Sequence, residues 1–264
     1  MKPTAIIALV MLATILVLAG CIKSTESGTS HEAAHWSYEG NTGPSHWGDL
    51  SPDYRTCKTG KNQSPIDLTG AMPVANLPEL IVNYRTLPVS ATMHNNTHTI
   101  QVDENTGSTL IYNGTTYRLL QYHFHNPSEH TINGEPAAME LHLVHRDDEG
   151  NYLVVGVLFE AGAENPVLAG FWDALPEEEG ETTLGAEVNI ADILPIDGIY
   201  EAYEGSLTTP PCTEGVHWIM MKTPVEMSQE QIDYYGSFLG GTARPVQRLN
   251  NRAIAEKAAG FVRP

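Results

Sequence analysis

The sequence predicts a mainly β fold with a smaller helical part, the α+β class, and strand signals carry this prediction. Residues 110–112 and 115–125 flank Asn113-Gly114, a dipeptide that favours the tight type I′ turn of a β-hairpin. Residues 139–145 and 152–159 flank a polar turn at residues 147–151 in the same way. We therefore expect mostly antiparallel strands.

The remaining elements fit this class. Residues 218–221 form another short apolar run that is typical of a strand. Helix signals are restricted to residues 167–174, which follow Asn165-Pro166, and to residues 228–239, for which Ser228 is a suitable N-cap. The helical part is therefore expected to be minor.

Two of the predicted strands carry the chemistry. Side chains at positions i and i+2 of a strand share a face, so His123 and His125 point the same way, and Gln121 lies beside them. Glu140 and His142 likewise share a face. A His-x-His pair can also be an ordinary half-buried pair. Three histidines on neighbouring strands can instead bind one metal ion and leave a fourth coordination position open, which is the pattern of catalytic zinc. Gln121 and Glu140 could then accept hydrogen bonds from the ring N–H groups that face away from the metal.

Composition limits the partners. The chain has 264 residues and a formal net charge of −18. Such a charge argues against binding to nucleic acid, which requires a basic surface. After the N-terminal segment, about 230 residues remain, which suits a single domain with a substantial core.

The N-terminus predicts export. Lys2 precedes an apolar stretch at residues 5–18, too short for a comfortable membrane span, and Leu18-Ala19-Gly20-Cys21 looks like a prokaryotic lipobox. We expect residues 1–20 to be a signal peptide and residues 21–32 to be a lipidated Cys21 with a flexible tether. The protein would then be anchored to the cell membrane by lipid, or be periplasmic or extracellular. An uncleaved anchor and an ordinary secretory signal are the alternatives.

Beyond these patterns the chain resembles the α-class carbonic anhydrases. Seven motifs occur in the family's order and span almost all of the chain after its leader. They are Trp36-Ser37-Tyr38, Gly43-Pro44-Ser45-His46-Trp47, Asn62-Gln63-Ser64-Pro65-Ile66-Asp67, Ser128-Glu129-His130-Thr131, Gly205-Ser206-Leu207-Thr208-Thr209-Pro210-Pro211, Ala243-Arg244-Pro245-Val246-Gln247 and Asn250-Asn251-Arg252. The resemblance implies a large, twisted, mostly antiparallel central sheet with short peripheral helices, and makes residues 33–264 the catalytic domain.

The resemblance also implies an activity and the residues that carry it. A zinc ion on His123, His125 and His142 would provide the hydroxide that hydrates CO2 reversibly to bicarbonate and a proton. The hydroxyl of Thr208 would accept from this hydroxide and donate to Glu129, while Thr209 is a candidate contact for bicarbonate. The pocket for CO2 would be lined by Val144, Val154, Leu207 and Trp218.

The resemblance further implies a proton shuttle at His98, with His94 as a nearby competitor. Tyr38, Asn96 and Gln101 would line its water network, in which Gln101 replaces an Asn common in relatives. Thr97 stands where many relatives have glycine.

Cys57 and Cys212 lie in two segments that related carbonic anhydrases join by a disulfide. An exported protein resides in an oxidising compartment, which permits the bond, although two buried free thiols are the alternative.

Two other functions compete with CO2 hydration. A non-catalytic binding or adhesion module on the same fold would typically have lost a zinc histidine, whereas this chain keeps all three. Esterase activity would use the same site and be a side activity. Imidazole sites also accept cobalt or iron, so the sequence does not fix the metal. Neither the physiological role nor the oligomeric state follows from the sequence.

Overall fold

A computed structural model describes residues 33–257 of the chain. Residues 34–264 cluster as one compact unit. The predicted signal peptide and the tether with Cys21 lie outside the described residues. Within residues 33–257, no helix combines the length and the apolar character that a membrane crossing requires.

Strands dominate the described structure. They are β1 (Met72–Pro73), β2 (Leu80–Asn83), β3 (Thr92–Asn95), β4 (Ile100–Asp103), β5 (Thr109–Tyr112), β6 (Thr115–His125), β7 (Thr131–Ile132), β8 (Glu135–Pro136), β9 (Met139–Arg146), β10 (Tyr152–Ala161), β11 (Gly180–Thr183), β12 (Tyr200–Ser206), β13 (Glu214–Met227) and β14 (Ala255–Lys257). The α-helices are α1 (Trp47–Leu50), α2 (Thr56–Thr59), α3 (Pro166–Trp172) and α4 (Gln229–Leu239), and 3₁₀ turns occupy Gly40–Thr42, Pro52–Tyr54 and Ile190–Ile193.

One large sheet organises these elements. Its strand order is β1-β14-β12-β13-β10-β9-β6-β4-β3-β11, and β5 joins β2 to β6. All pairs in it are antiparallel except β1 with β14 and β10 with β13. The predicted fold class is therefore confirmed.

Local sequence explains the elements that were predicted. Asn113 and Gly114 both have positive φ angles, as the hairpin turn between β5 and β6 requires. Helix α4 begins with a capping box, in which the Ser228 hydroxyl accepts from the Gln231 N–H and the Gln231 side chain accepts from the Ser228 N–H.

The predicted disulfide is present between Cys57 and Cys212, which are 155 residues apart in sequence. Hydrogen bonds from Arg244 and Gln63 surround it. Arg244 donates hydrogen bonds to the carbonyl of Cys57 and to the side chain of Gln63, while the Gln63 amide donates to the carbonyl of Cys212. The bond thus joins the N-terminal segment to the loop that follows Thr208.

A buried histidine predicts acid sensitivity of the core. His145 on β9 donates from Nδ1 to the Leu153 carbonyl and accepts at Nε2 from the Tyr84 hydroxyl, so its neutral ring is fully hydrogen-bonded. Burial lowers the pKa of His145 to about 4. Since the unfolded value is about 6.5, protons bind preferentially to the unfolded chain below that pH. We expect this group to remove about 3 kcal/mol of stability as the pH falls from 6.5 to 4.

Urea unfolding of the metal-free protein at pH 7 and pH 4.5 checks this expectation. The His145→Asn variant should lose less stability between the two pH values than the wild type. Equal losses in the two proteins would exclude His145 as a source of acid sensitivity.

Candidate metal centre

Strand register brings the three predicted ligands together. His123 on β6 lies directly opposite His142 on β9, and His125 lies two residues further along the same face. One ring nitrogen from each histidine lies within 4.8 Å of the others. His125 and His142 are fully buried, whereas His123 is half-buried. The structure thus gathers the three imidazoles that the sequence predicted.

Hydrogen bonds fix which nitrogen of each ring is free. Nδ1 of His123 donates to the side-chain oxygen of Gln121 at 2.8 Å, and Nε2 of His142 donates to Glu140 at 2.6 Å. These two contacts are the ones predicted for Gln121 and Glu140. Because the two acceptor oxygens cannot donate, the opposite nitrogens, Nε2 of His123 and Nδ1 of His142, present lone pairs to the centre.

The acceptor for His125 was not predicted. Its Nδ1 donates to the backbone carbonyl of Thr242 at 2.7 Å, which leaves Nε2 free. A backbone carbonyl gives no sequence signal, because every residue type has one. Only the return of the chain after α4 places Thr242 beside the ring.

Glu140 is held as a charged carboxylate. It accepts from the backbone N–H groups of Glu129 and His130 and from the rings of His130 and His142. Burial opposes the charge, but the two rings and these hydrogen bonds hold the pKa of Glu140 well below its usual range. Glu140 therefore fixes the orientation of His142 from behind.

The electrostatics favour neutral rings at two of the ligands. Burial, then the neighbouring histidines, lowers the pKa of His123 well below its ordinary value. Burial also lowers the pKa of His125, although Glu129 opposes it. For His142, burial is outweighed by Glu140 and Glu129, so its pKa is raised. A neutral imidazole is the form that binds a metal, and deprotonation of His142 completes the set.

Two buried polar atoms provide a test of whether a metal fits. Among the described residues, Nε2 of His125 and Oε2 of Glu129 have no hydrogen-bond partner, and they lie 3.4 Å apart. An unsatisfied buried nitrogen is costly, and a divalent cation would take its lone pair. Three converging imidazole nitrogens suit zinc. A second group of His130, Glu140 and His142 is also close together, but both nitrogens of His130 already make hydrogen bonds to Glu140 and Tyr203.

Thr208 and Glu129 both lie at this centre but are not joined. Oε1 of Glu129 accepts from the backbone N–H of Arg244 at 2.9 Å, and Oε2 has no partner among the described residues. The predicted hydrogen bond from Thr208 to Glu129 is therefore not formed in this structure. Thr208 lies instead in the wall of a cavity beside His123 and His142.

This cavity has a volume of about 230 Å³ and contains the predicted substrate pocket. All five predicted substrate-contacting residues line it: Thr209, Val144, Val154, Leu207 and Trp218. Leu120 and Tyr152 line it too and were not predicted. The periodicity of β10 contains a signal for Tyr152, which precedes Val154 by two residues. Leu120 lies at an irregularity between Leu119 and Gln121, where strand alternation no longer predicts the face.

His98 lies against an aromatic cluster. Its ring stacks on Trp36 with 3.8 Å between centroids, and Tyr38 lies 6.4 Å away. Burial, and then His35, lowers the pKa of His98. His98 and Tyr38 line a second cavity, of about 340 Å³, which also borders Thr242. Burial and then Glu129 raise the pKa of Tyr38.

The residues around His98 shape its turn. The side-chain oxygen of Asn96 accepts from the backbone N–H groups of His98 and Thr99. Thr97 has a φ of 69°, a left-handed conformation that favours glycine. Asn96 therefore stabilises the turn. Its predicted place in the water network of the proton shuttle stays a prediction.

His94 is placed differently from His98. Its Nε2 lies 3.2 Å from Asp103 and its Nδ1 lies 3.1 Å from Glu181, so carboxylates face both ring nitrogens. Asp103 also accepts from the side chain of Gln101, which lies opposite His123 on the neighbouring strand. The register puts Gln101 on the face of the metal centre, where its predicted water contacts stay a prediction.

Comparisons with known proteins identify the family. The family model described as eukaryotic-type carbonic anhydrase matches residues 42–258. The chain is 42% identical to a carbonic anhydrase of Neisseria gonorrhoeae, covering 93% of this chain and 96% of the relative, and 42% identical to one of a Nostoc species, covering 85% and 87%. The α-carbonic anhydrase from Thermovibrio ammonificans, solved with sulfanilamide, is 46% identical, with a TM-score of 0.80 over 85% of this chain and 100% of that one.

A fold and a metal centre of this kind define the α-class of zinc lyases. The chain belongs to the eukaryotic-type, or alpha, carbonic anhydrase family and is an enzyme of it. Enzymes of this family hydrate CO2 and use zinc. A purely non-catalytic binding module, the main alternative function, is thereby set aside.

Proposed function

We propose that this protein hydrates CO2 reversibly with one zinc ion held by His123, His125 and His142. The observation that carries the proposal is the convergence of three free imidazole nitrogens, each oriented by its own acceptor, beside a cavity with apolar walls. Three protein ligands leave a position open for catalysis. Zinc fits the donor set best, although cobalt or iron could also bind.

When bound, zinc lowers the pKa of its water to about 7, an effect for which carbonic anhydrase is itself the standard example, and so supplies a nucleophile at neutral pH. The chain's own residues provide the rest. An apolar wall for CO2 would be formed by Val144, Val154, Leu207 and Trp218. Trp218 is fixed by a hydrogen bond from its indole N–H to the Ser206 carbonyl. Thr209 would contact the bicarbonate product.

Stopped-flow CO2 hydration combined with metal analysis tests this function on the domain of residues 30–264. We expect one zinc per chain and hydration that a chelator removes and zinc restores. Hydration by metal-free protein, or a zinc-loaded protein without hydration, would refute it. Ester hydrolysis that is lost and regained together with hydration would identify esterase activity as a side reaction of the same site.

Thr208 is proposed to orient the nucleophile, with Glu129 as the final acceptor. Both lie at the centre, and a carboxylate can only accept, which would set the direction of the donors. We expect Thr208→Ala to lower kcat/KM by about 100-fold, because a misoriented nucleophile loses its alignment with CO2. The zinc content should be unchanged, since Thr208 is not a ligand. Thr208→Ser keeps the hydroxyl and should retain most activity; if serine is as damaging as alanine, the hydroxyl is not the functional group.

His98 is proposed as the proton shuttle in preference to His94. Carboxylates face both nitrogens of His94, so both sides of its ring are engaged, whereas His98 is bordered by aromatic rings and lines a surface cavity. Imidazole groups are suited to proton relay near neutral pH. We expect His98→Ala to lower kcat by about tenfold in weak buffer while kcat/KM stays nearly constant.

High concentrations of imidazole buffer should restore the activity of His98→Ala, because the buffer itself carries the proton. His94→Ala is the matched control and should need no rescue. A rescuable defect in His94→Ala alone would move the shuttle to His94. The absence of a defect in both variants would mean that protons leave by another route.

We also propose that the protein is exported and anchored by lipid at Cys21. The lipobox-like ending of the leader and the disulfide, which requires an oxidising compartment, support this. Acyl chains on Cys21, rather than a spanning helix, would hold the protein to the membrane. Mass spectrometry of the protein extracted from native membranes should find a chain that begins at lipid-modified Cys21. A chain that starts at Met1, or downstream of Cys21, would contradict the anchor.

A further inference from the structure

Positive charge is distributed very unevenly over this acidic protein. The net charge is −18, and from residue 147 to residue 243 the only lysine or arginine is Lys222. Among the described residues, eight lysines and arginines are exposed, and four of them, Arg55, Lys58, Lys61 and Arg248, lie in two short segments, one in the N-terminal part and one near the C-terminus. The other four are dispersed: Arg85, Arg118, Arg146 and Lys222. The fold brings these two distant segments together.

Three of these cations share one surface cavity, which we call the basic cradle. Lys58, Lys61 and Arg248 line this cavity of about 360 Å³, and no aspartate or glutamate lines it. The side-chain amides of Gln63, Gln247 and Asn250 complete its polar wall. Within residues 33–257, Lys61 and Arg248 form no ion pair, whereas Lys58 is paired with the exposed Asp49 at 2.8 Å.

The backbone of the basic cradle is held rigidly. The disulfide of Cys57 fixes one side. The Asn250 amide donates to the carbonyl of Lys61 at 2.6 Å, and one nitrogen of Arg252 donates to the carbonyls of Gln63 and Arg248. The two cationic segments are therefore tied to each other, and the positions of the cations are set before any ligand binds.

The entry point of the N-terminal tether adds an independent observation. Ala34, the first residue of the compact unit, accepts a hydrogen bond at its carbonyl from the hydroxyl of Tyr54, the residue before Arg55. Cys21 lies only 13 residues before Ala34. A lipid on Cys21 would therefore be linked through only these 13 residues to the part of the domain that carries Ala34 and Tyr54.

We propose that the basic cradle docks on the phosphate groups of anionic phospholipids and so sets the orientation of the anchored enzyme. This inference rests on the proposed lipid anchor at Cys21. The planar guanidinium group of Arg248 can donate two parallel hydrogen bonds to phosphate oxygens, and the two lysines add localised positive charges. An anionic surface repels the acidic remainder of the protein, which favours approach by the face with the basic cradle.

Asp49, Asp53 and Glu214 lie near the basic cradle, but none of them lines its cavity. Asp49 is occupied by Lys58, and Asp53 lies in the 3₁₀ turn before Arg55. Oε1 of Glu214 accepts from the N–H of Asn62 and from the side chain of Gln63. These acids lie outside the cavity wall, in which Lys61 and Arg248 stay unpaired among the described residues while Lys58 is paired with Asp49.

Vesicle binding of residues 30–264 tests the docking without the anchor. This part folds alone by analogy with the Thermovibrio ammonificans structure, whose entire chain aligns with 85% of this one. Vesicles of phosphatidylglycerol should bind it more tightly than vesicles of phosphatidylcholine, and salt should weaken the binding. The double variant Lys61→Ala with Arg248→Ala should bind phosphatidylglycerol about 25-fold less tightly, at about fivefold per cation. The control Lys222→Ala with Lys257→Ala should bind like the wild type.

Equal binding to both lipids, or equal losses in the double variant and its control, would overturn the proposal. Inorganic phosphate at constant ionic strength distinguishes a small-ion site: if it shifts the NMR signals of Lys61 and Arg248 while the vesicles leave them unchanged, the basic cradle binds free phosphate and not a membrane. Failure of the anchor is recognised separately, because the mass of Cys21 in native membranes reports it whatever the domain does with vesicles.

Discussion

Replacing His142 with alanine is expected to abolish both zinc binding and CO2 hydration. His142 is one of three ligands, and its free Nδ1 is oriented by the hydrogen bond from Nε2 to the buried carboxylate of Glu140. Loss even of an outer partner of a metal ligand typically weakens metal binding 10- to 100-fold, so loss of a ligand itself should exceed about 100-fold. Metal content after dialysis and stopped-flow hydration measure the two effects.

Two further variants are expected to show intermediate and unchanged zinc affinity. Glu140→Gln keeps the ligand but removes the charge behind it, so its zinc affinity should fall by about 10- to 100-fold and lie between wild type and His142→Ala. His94→Ala removes a histidine on the same face of the sheet, two strands from His123, and should leave zinc binding unchanged. A folded His142→Ala protein with full zinc and full hydration would show that the ligand set is wrong.

The ligand set was predictable because strand periodicity fixes the face of a side chain. His123 and His125 are two residues apart, and the Asn113-Gly114 turn sets where β6 begins. The partner contacts of Gln121 and Glu140 follow from the same alternation. Local rules suffice here because β6 is regular from Gln121 to His125 and β9 is regular from Glu140 to His142.

Contacts between distant segments were not predictable in this way. The parallel pairing of β10 with β13 depends on the long connection between these two strands. The position of the Thr242 carbonyl behind His125 depends on how the chain returns after α4, and no local pattern records either arrangement. The acidic run at residues 177–181 carries no strand signal, yet Gly180–Thr183 forms edge strand β11 against β3. Edge pairing of this kind needs only backbone groups, so side-chain composition does not reveal it.

Irregular backbone limited the prediction around His98. Asn96 uses its side-chain oxygen for the turn, and Thr97 adopts a left-handed conformation, so strand alternation does not extend to His98. The resemblance to the family, rather than periodicity, indicated His98. The structure adds its stacking on Trp36, which separates it from His94 in the adjoining strand.

Loss of the disulfide is expected to lower stability by about 3–5 kcal/mol. The bond between Cys57 and Cys212 closes a loop across a sequence separation of 155 residues, and chain-entropy arguments give larger stabilisation to longer loops. For a domain of this size, such a loss corresponds to a fall in Tm of about 6–20 °C. The Cys57→Ser, Cys212→Ser double variant of residues 30–264 should melt lower than the oxidised wild type by this amount.

Reduction of the wild type should reproduce the melting of the double variant, and a reductant should leave the double variant itself unchanged. Residues 30–264 exclude Cys21, so thiol counting on the denatured, unreduced domain should find no free thiol. Two free thiols, or equal Tm values for oxidised and reduced protein, would contradict the role of the bond. Activity should fall as well, because Cys212 follows Thr208 in the same loop and Arg244 connects the Cys57 carbonyl to Glu129. The covalent link is thus expected to stabilise both the folded domain and the geometry of the loop that carries Thr208.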